Sequence, residues 1–270
     1  MKIAKLRADE LVVKLGLVES RSKAQAFIMA GEILWARKDS NGETRWETVS
    51  KAGQALPEDS ELRLKHDGPQ DVGRGAQKLR KAFEVWPELS HDVQGHLGFD
   101  IGSSTGGFTQ VLLEKGAARV VALDVGTHQL HERLRQDPRV LSLEQTHVLK
   151  VETADWAGFG VELPFRILVT DVSFISVTKI LAHAARWMAP GAAWIVLVKP
   201  QFELDRARVP RGIVREEADR QDAIRRVRIA CEETGILTWC SLVESPIQGG
   251  DGNIEYLAYI RRKKDTKDRT

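Results

Sequence analysis

Residues 100–109 read DIGSSTGGFT, which combines the carboxylate of Asp100 with three glycines in one short segment. An apolar segment precedes the glycines and a helix-like segment follows them, so we predict a strand, a turn and a helix. Glycines in such a turn let a ligand approach the backbone, and ligands of open α/β sheets bind at the carboxyl ends of strands. The spacing D-x-G-x-x-x-G-G differs from the G-x-G-x-x-G of dinucleotide-binding turns, which makes a nicotinamide dehydrogenase the least favoured function.

A second carboxylate, Asp124, ends the next predicted strand. It could accept hydrogen bonds from both ribose hydroxyls of an adenosine, and Asp100 could hold an ammonium group. The alternative is a tight structural turn with a solvated Asp124. We expect a cofactor that carries both groups, and we predict that it contacts Asp100, Gly102, Ser103, Ser104, Thr105, Gly106, Gly107, Phe108 and Asp124.

The segments around these residues alternate between strands and helices. Apolar strands are predicted at residues 97–101, 119–125, 166–172, 193–198, 236–242 and 253–260, the last as an antiparallel partner at the sheet edge. Helices are predicted at residues 106–115, 176–188 and 216–234. This alternation favours the α/β class, with a doubly wound, mostly parallel sheet that has helices on both faces.

The first 66 residues have a different organisation. Two short helical segments are followed by strand-like residues 33–35, a hairpin turn at Asp39-Ser40-Asn41-Gly42 and a short strand at residues 61–64. Residues 66–70 resemble a linker. We therefore predict a small α+β domain at residues 1–66, a linker at 67–73 and the α/β domain at 74–270.

The composition limits the class of protein. The net charge is only +2, and 42% hydrophobic residues can form a core, which excludes bulk disorder. Residues 1–31 carry six basic and three acidic side chains, a local excess of the kind that attracts phosphate. The apolar run at residues 192–198 is too short for a membrane helix, and we expect no signal peptide. Two cysteines suggest reduced thiols in the cytoplasm, and no histidine cluster predicts a metal site.

Several ordered motifs resemble the TlyA family of FtsJ-like ribose methyltransferases, whose members are often named hemolysin A. The resemblance rests on residues 102–109, on TDVSFIS at 170–176 and on VKPQFE at 198–203. It continues through RGIVR at 211–215, SPI at 245–247 and GNIE at 252–255. At the front, residues 6–9 and 20–26 resemble the alpha-L RNA-binding module of ribosomal protein S-four type.

This resemblance implies a Rossmann-like methyltransferase domain with a mostly parallel seven-stranded sheet. It also implies 2′-O-methylation of cytidines in ribosomal RNA, with S-adenosyl-L-methionine as cofactor and ribosomal subunits as partners. The catalytic set of the family falls on Lys78, Asp171, Lys199 and Glu255. Three places depart from the family: Ala76 replaces a usual second glycine, and His147 replaces the asparagine that usually follows Thr146. The third is Leu204-Asp205, in a variable loop to which we assign no role.

These residue types suit the reaction. A ribose hydroxyl is a poor nucleophile while it keeps its proton, so the enzyme must align the oxygen with the methyl group and help the proton leave. A lysine can accept a proton only when it is neutral, a state that burial and a second ammonium both favour. We favour Lys199 as the base, with Asp171 and Glu255 orienting the lysines, although Lys78 and Lys199 would titrate as a unit.

Each residue also has a plainer interpretation. Lys199 alone could be a solvated charge, Asp171 a turn cap, Glu255 the exposed face of an edge strand, and Lys78 part of a basic helix. In the first domain, Arg7, Arg21 and Lys23 are candidate phosphate contacts or a solvated helical face. Rival functions are a non-catalytic ribosome-binding factor and a membrane-active cytolysin, but no segment suits membrane insertion.

Overall fold

A computed structural model describes residues 5–18, 20–29, 31–38, 43–65 and 71–265 of the chain. The chain divides into two compact units, Met1–Gln70 and Asp71–Thr270. Of the predicted linker, residues 67–70 lie outside the described residues. The backbone N–H of Val72 donates to Gln110 at 2.8 Å and Asp71 pairs with Arg80 at 2.7 Å, so both residues are anchored in the second unit.

The first unit contains short strands and two helices. Its elements are β1 (Lys5–Arg7), α1 (Ala8–Lys14), α2 (Arg21–Met29), β2 (Ile33–Lys38), β3 (Thr44–Thr48), β4 (Ala55–Pro57) and β5 (Leu62–Leu64). Strand β2 lies between β3 and β5 in an antiparallel sheet, and β1 pairs with β4. The predicted strands at residues 33–35 and 61–64 are confirmed as β2 and β5, and β3, for which the sequence predicts no bounds, pairs with β2. The predicted hairpin turn at residues 39–42 lies outside the described residues. Strands β1 and β4 were not expected, because three residues are too few to show a periodic pattern.

The second unit begins with two helices and then alternates strands with helices. Its elements are α3 (Gly75–Val85), α4 (Leu89–Val93), β6 (Leu97–Ile101), α5 (Gly107–Glu114), β7 (Arg119–Leu123), α6 (Glu132–Arg135), β8 (Val140–Leu143), α7 (Asp155–Gly158), β9 (Phe165–Thr170), α8 (Thr178–Ala185), β10 (Met188–Val198), α9 (Pro200–Glu203), α10 (Glu217–Glu233), β11 (Leu237–Glu244) and β12 (Tyr256–Arg262). The alternation that the sequence predicts is confirmed.

The strands of this unit form one seven-stranded sheet in the order β11-β12-β10-β9-β6-β7-β8. The run from β8 to β10 is parallel, and β12 is antiparallel to both β10 and β11. The prediction that β12 lies at the sheet edge is therefore wrong, because β11 takes that place. The first five residues of β12 are all buried, whereas β11 has only one buried residue, as expected of an inner and an outer strand.

Alternate residues of the strands pack into two separate cores. In β10, Trp194, Val196 and Val198 join a core with α8 and α10, while Ala193, Ile195 and Leu197 join a core with α3 and α5. The sheet is therefore doubly wound, as the sequence predicts. Strand β8 was not expected, because its four residues are only half-buried and give no clear apolar run.

The topology brings the ends of several strands together along one side of the sheet, the side at which the parallel strands end. The carboxyl ends of β6, β7, β9 and β10 meet there, since these strands are parallel. The amino end of β12 reaches the same side, because β12 runs in the opposite direction and Tyr256 pairs with Val198. Loops that follow the parallel strands and the loop that precedes β12 are thus neighbours. None of the described helices is long and apolar enough to cross a membrane.

Candidate active site

The glycine turn joins β6 to α5, as the sequence predicts. Gly102 has φ +83°, and a Cβ atom added to it would lie 2.6 Å from the carbonyl oxygen of Asp171. Gly106 has φ +95°, and its Cβ would lie 2.2 Å from Leu134. The positive φ favours glycine at both positions, and at Gly102 the backbone of Asp171 also leaves no space for a side chain. The turn is held close to the loop after β9, which carries Asp171.

Asp100 is fully buried below this turn. Its Oδ2 accepts hydrogen bonds from the backbone N–H and the hydroxyl of Thr109, at 2.9 and 2.7 Å. Its Oδ1 has no partner among the described residues. Burial, together with the nearby carboxylates of Asp171 and Asp124, raises the pKa of Asp100 to about 7. A buried acceptor without a partner is the kind of group that a bound cationic ligand could satisfy.

Asp124 follows β7 and holds two loops. Its Oδ2 accepts from the backbone N–H of Ser104 at 2.8 Å, and its Oδ1 accepts from Gly126 at 2.7 Å. Each carboxylate oxygen has a second lone pair, so Asp124 can still accept hydrogen bonds from a ligand. The Ser104 contact joins the glycine turn to the end of the neighbouring strand.

The four residues of the implied catalytic set lie together. Lys78 Nζ is 2.6 Å from Glu255 Oε2 and 4.0 Å from Asp171 Oδ2. Lys199 Nζ is 2.5 Å from Asp171 Oδ1 and donates to Ser173 Oγ at 3.0 Å. Lys78, Lys199 and Glu255 are buried, while the Asp171 side chain is 22% exposed. The result is a continuous line of ion pairs from Glu255 through Lys78 and Asp171 to Lys199.

Each member of this line comes from a different part of the fold. Lys78 lies on α3, Asp171 follows β9, Lys199 follows β10 and Glu255 precedes β12. The plainer interpretations of Lys199 as a solvated charge and of Glu255 as the exposed face of an edge strand do not fit their burial. Lys78 does lie on a helix, as its plainer interpretation says, but its side chain is buried. Buried charges are expensive unless they are paired, so this arrangement needs all four side chains.

Two adjoining cavities surround the line of ion pairs. One has a volume of about 520 Å³ and is lined by the four charged residues and by most of the glycine turn. The other has a volume of about 450 Å³ and is lined by Asp124, His147 and the end of β7. Gly102, Ser104 and Asp171 line both. Residues predicted to contact a cofactor thus border cavities that could hold the two ends of one extended ligand.

The positions of the remaining predicted cofactor residues agree only partly with this picture. Ser103, Thr105, Gly107 and Phe108 line the larger cavity, while Gly106 and the fully buried Asp100 line neither. Gly106 contributes through its backbone conformation, and Asp100 lies behind the glycine turn. His147, one of the departures from the family, lines the smaller cavity, and its Nδ1 accepts from the backbone N–H of Leu149 at 3.2 Å.

Sequence reasoning missed two side chains that hold the site loops. The buried carboxylate of Glu203 accepts from Ser176 Oγ at 2.5 Å and from the backbone N–H of Val177 at 2.9 Å, and burial raises the pKa of Glu203. It thereby ties the segment that begins at Lys199 to the loop that follows Asp171. Both segments carry family motifs, at residues 170–176 and 198–203, but neither motif indicates that Glu203 contacts the other segment.

Asn253 is the second missed residue. It is buried, its amide oxygen accepts from the backbone N–H of Val214 at 2.9 Å, and its amide nitrogen donates to the carbonyl of Gly212 at 2.8 Å. The RGIVR motif is thus fastened to the segment that carries Glu255. Phe174 was also missed: its side chain is 93% exposed at the mouth of both cavities, 5.4 Å from the Phe202 ring.

The first unit carries the predicted phosphate contacts. Arg7 and Arg21 both donate to the buried carboxylate of Asp9, and Lys23 lies on α2 with an exposed side chain. The indole ring of Trp46 packs against Arg63, whose Cζ lies 4.0 Å from the ring centroid. Among the described residues, no group of three or more histidine, cysteine or acidic side chains could hold a metal ion.

The pKa of Asp100 gives a testable dependence of stability on pH. In the unfolded chain Asp100 ionises near its ordinary value of 3.8, whereas in the folded protein it keeps its proton up to about pH 7. Between these values the folded state binds more protons, so this group lowers the free energy of unfolding as pH rises. We expect Asp100→Asn to be more stable than the wild type at about pH 8, with the difference shrinking toward about pH 4. Urea unfolding of both proteins across this range is the measurement, and a difference that does not vary with pH would contradict the assignment.

Comparison with known proteins places this geometry in a family. Residues 72–262 match the model of the FtsJ-like methyltransferases. The chain is 36% identical over 263 residues to the 16S/23S rRNA (cytidine-2′-O)-methyltransferase TlyA of Mycobacterium tuberculosis, covering 96% of this chain and 91% of that protein. It is 38% identical to hemolysin A of Brachyspira hyodysenteriae, covering 94% of this chain and 99% of that protein.

A solved structure from Streptococcus thermophilus, which bears a provisional hemolysin name, is similar over almost the whole chain. The identity is 39%, the TM-score is 0.68, and the match covers 99% of this chain and 93% of that one. Together with the matched family model, these relatives show that the chain belongs to the FtsJ-like methyltransferase family, in its TlyA branch.

Proposed function

We propose that this protein transfers a methyl group from S-adenosyl-L-methionine to the 2′-hydroxyl of cytidines in ribosomal RNA. The observation that carries the proposal is the line of ion pairs from Glu255 to Lys199, which borders a cavity beside the glycine turn. The name of the Mycobacterium tuberculosis relative supports the substrate class.

The residues present fit this cofactor. The partnerless Oδ1 of Asp100 supplies a buried acceptor for an ammonium group, and Asp124 supplies acceptors for ribose hydroxyls beside the smaller cavity. Gly102 and the other turn residues leave the backbone open to a ligand. When bound, the cofactor supplies a methyl group on a positively charged sulfur, which a hydroxyl oxygen can attack in line.

In this proposal the charged residues prepare the hydroxyl. Asp171 contacts both lysines and holds Lys199 toward the cavity, so that its amine faces the bound ribose. Lys199 must first lose its own proton to solvent, and the neutral amine then takes the proton of the 2′-hydroxyl as the oxygen attacks the methyl group. The neighbouring Lys78–Glu255 pair keeps the site balanced in charge. Ser173 carries no charge, but its hydroxyl oxygen accepts a hydrogen bond from Lys199 and so fixes the position of that amine.

The first unit would recruit the RNA. Arg7, Arg21 and Lys23 offer cationic side chains to phosphates, which position a folded RNA without reading its sequence. The predicted alpha-L domain at residues 1–66 and methyltransferase domain at 74–270 would then have separate tasks. This role places the protein with ribosomal subunits in the cytoplasm.

The direct test is incubation of the purified protein with labelled S-adenosyl-L-methionine and each separated ribosomal subunit, followed by mapping of the modified nucleotide. A methylated cytidine ribose supports the proposal. Binding to subunits with no methyl transfer would instead support a non-catalytic ribosome-binding factor.

A substitution at Lys199 separates a base from a simple charge. Arginine keeps the positive charge but stays protonated, so Lys199→Arg should lower the single-turnover rate by roughly 100-fold or more. The affinity for the cofactor should barely change. Lys179→Arg is the matched control, because Lys179 is exposed on α8 and lines neither cavity. If Lys199→Arg keeps most of the wild-type rate, the base must be Lys78 or solvent.

A substitution at Asp124 tests the ribose contact. Asp124→Ala removes two charge-assisted hydrogen bonds to the cofactor, each worth roughly 1.5–3 kcal/mol, and frees the backbone N–H groups of Ser104 and Gly126. Calorimetric titration with S-adenosyl-L-methionine should therefore show a loss of affinity of about 100-fold or more. Asp137→Ala, whose carboxylate pairs with Arg139 away from both cavities, should bind as tightly as the wild type. Unchanged affinity in Asp124→Ala would exclude the assigned contact.

Removal of residues 1–70 tests the division of labour. Both cavities and two hydrophobic cores lie within residues 71–270, so the shortened protein should still bind the cofactor. Methylation of ribosomal subunits should be lost because the phosphate contacts are gone. Full methylation by the shortened protein would contradict a recruiting role for the first unit.

A further inference from the structure

Asp9 has an unusual position for an aspartate at the start of a helix. Its carboxylate is completely buried, and it accepts hydrogen bonds from three different side chains. Arg7 donates through Nε to Oδ1 and through Nη2 to Oδ2, both at 3.0 Å. Arg21 Nε and Gln25 Nε2 donate to Oδ2 at 3.1 and 2.9 Å. The hydrogen bonds from Arg7 hold the pKa of Asp9 well below its usual range.

The two arginines remain accessible despite these contacts. The Arg7 side chain is 46% exposed and the Arg21 side chain is 51% exposed, whereas Asp9 is inaccessible to solvent. Both arginines donate to Asp9 through Nε, and Arg7 donates through Nη2 as well, so that its Nη1 group points away from the carboxylate. A ligand can therefore meet the guanidiniums without meeting the carboxylate that holds them.

The backbone around this cluster is also fixed. The N–H groups of Ala8 and Asp9 donate to the carbonyls of Gln54 and Ala52, at 2.8 and 3.1 Å. Arg7 Nη1 passes over Gly53, where an added Cβ would lie only 3.2 Å away. Because residue 53 has no side chain, there is room for the guanidinium of Arg7. This guanidinium is held by Asp9 on one side and lies beside Gly53 on the other.

We propose that Asp9 is a positioning residue that presets the guanidiniums of Arg7 and Arg21 as a paired site for phosphates of an RNA backbone. The inference rests on the proposed function, because it takes ribosomal RNA as the ligand. An arginine side chain that is already ordered loses less conformational entropy when it binds. For two ordered arginines we expect an affinity that is about fivefold or more higher.

Two neighbouring carboxylates allow a test in which charge and position predict opposite results. Asp9→Asn and Glu10→Gln each remove one negative charge. The side chain of Glu10 is 40% exposed, and its Oε1 lies 3.0 Å from Arg21 Nη1. Attraction to phosphate alone would make both variants bind RNA more tightly. Positioning by Asp9 predicts that Asp9→Asn binds about fivefold or more weakly, while Glu10→Gln binds as tightly as the wild type or more tightly.

The measurement is filter binding of the full chain to purified ribosomal subunits that lack the modification, at one fixed salt concentration. Circular dichroism and thermal unfolding check that Asp9→Asn is folded. If it is not folded, Arg7→Lys/Arg21→Lys replaces it: this variant keeps both charges and Asp9 but loses the planar fork, and it should show a similar loss.

A combined variant distinguishes positioning from general stability. In an Arg7→Ala/Arg21→Ala background, adding Asp9→Asn should leave the affinity for subunits unchanged, since no arginine remains to be held. A further loss there, or an Asp9→Asn single variant that binds as tightly as the wild type, overturns the positioning role. Failure of the wild type to bind either subunit would overturn the proposed function, which makes the two failures distinguishable.

Discussion

Glu255, Lys78, Asp171 and Lys199 form a line of ion pairs that is mostly hidden from water. A buried ammonium or carboxylate without a partner destabilises a protein strongly, so removal of any member leaves a neighbour unsatisfied. The four side chains come from α3, from the loops after β9 and β10, and from the residue before β12. Much of the second unit is therefore arranged around the need to bring these charges together at one edge of the sheet.

Other buried polar groups hold the loops in the positions that this line needs. Glu203 fastens the Lys199 segment to the loop after Asp171, and Asn253 fastens the RGIVR segment to the loop before β12. Gly102 lets the glycine turn approach the backbone of Asp171. The site is thus a set of loops that are joined by hydrogen bonds from buried side chains, with the parallel strands as their common support.

A buried carboxylate that is paired with cationic side chains also occurs in the first unit, with a different result. Asp9 is buried like Glu255, but its cationic partners are half-exposed, so the cluster presents charge to the surface instead of enclosing it. In the second unit, Lys78 and Lys199 are buried and face a cavity. One arrangement suits an extended phosphate backbone, and the other suits a single reacting hydroxyl.

The sequence by itself determined the local features of this protein. Strand β6 has the bounds that its apolar pattern predicts, the glycine turn follows it, and the alternation of strands and helices indicates a doubly wound sheet, because these signals lie within about ten neighbouring residues. Only the tertiary structure decided that β12 lies inside the sheet, that Glu255 meets Lys78 across 177 positions of sequence, and that Glu203 and Asn253 hold the loops. Such contacts depend on which strands become neighbours when both faces of the sheet are packed, and local spacing along the chain carries no record of that choice.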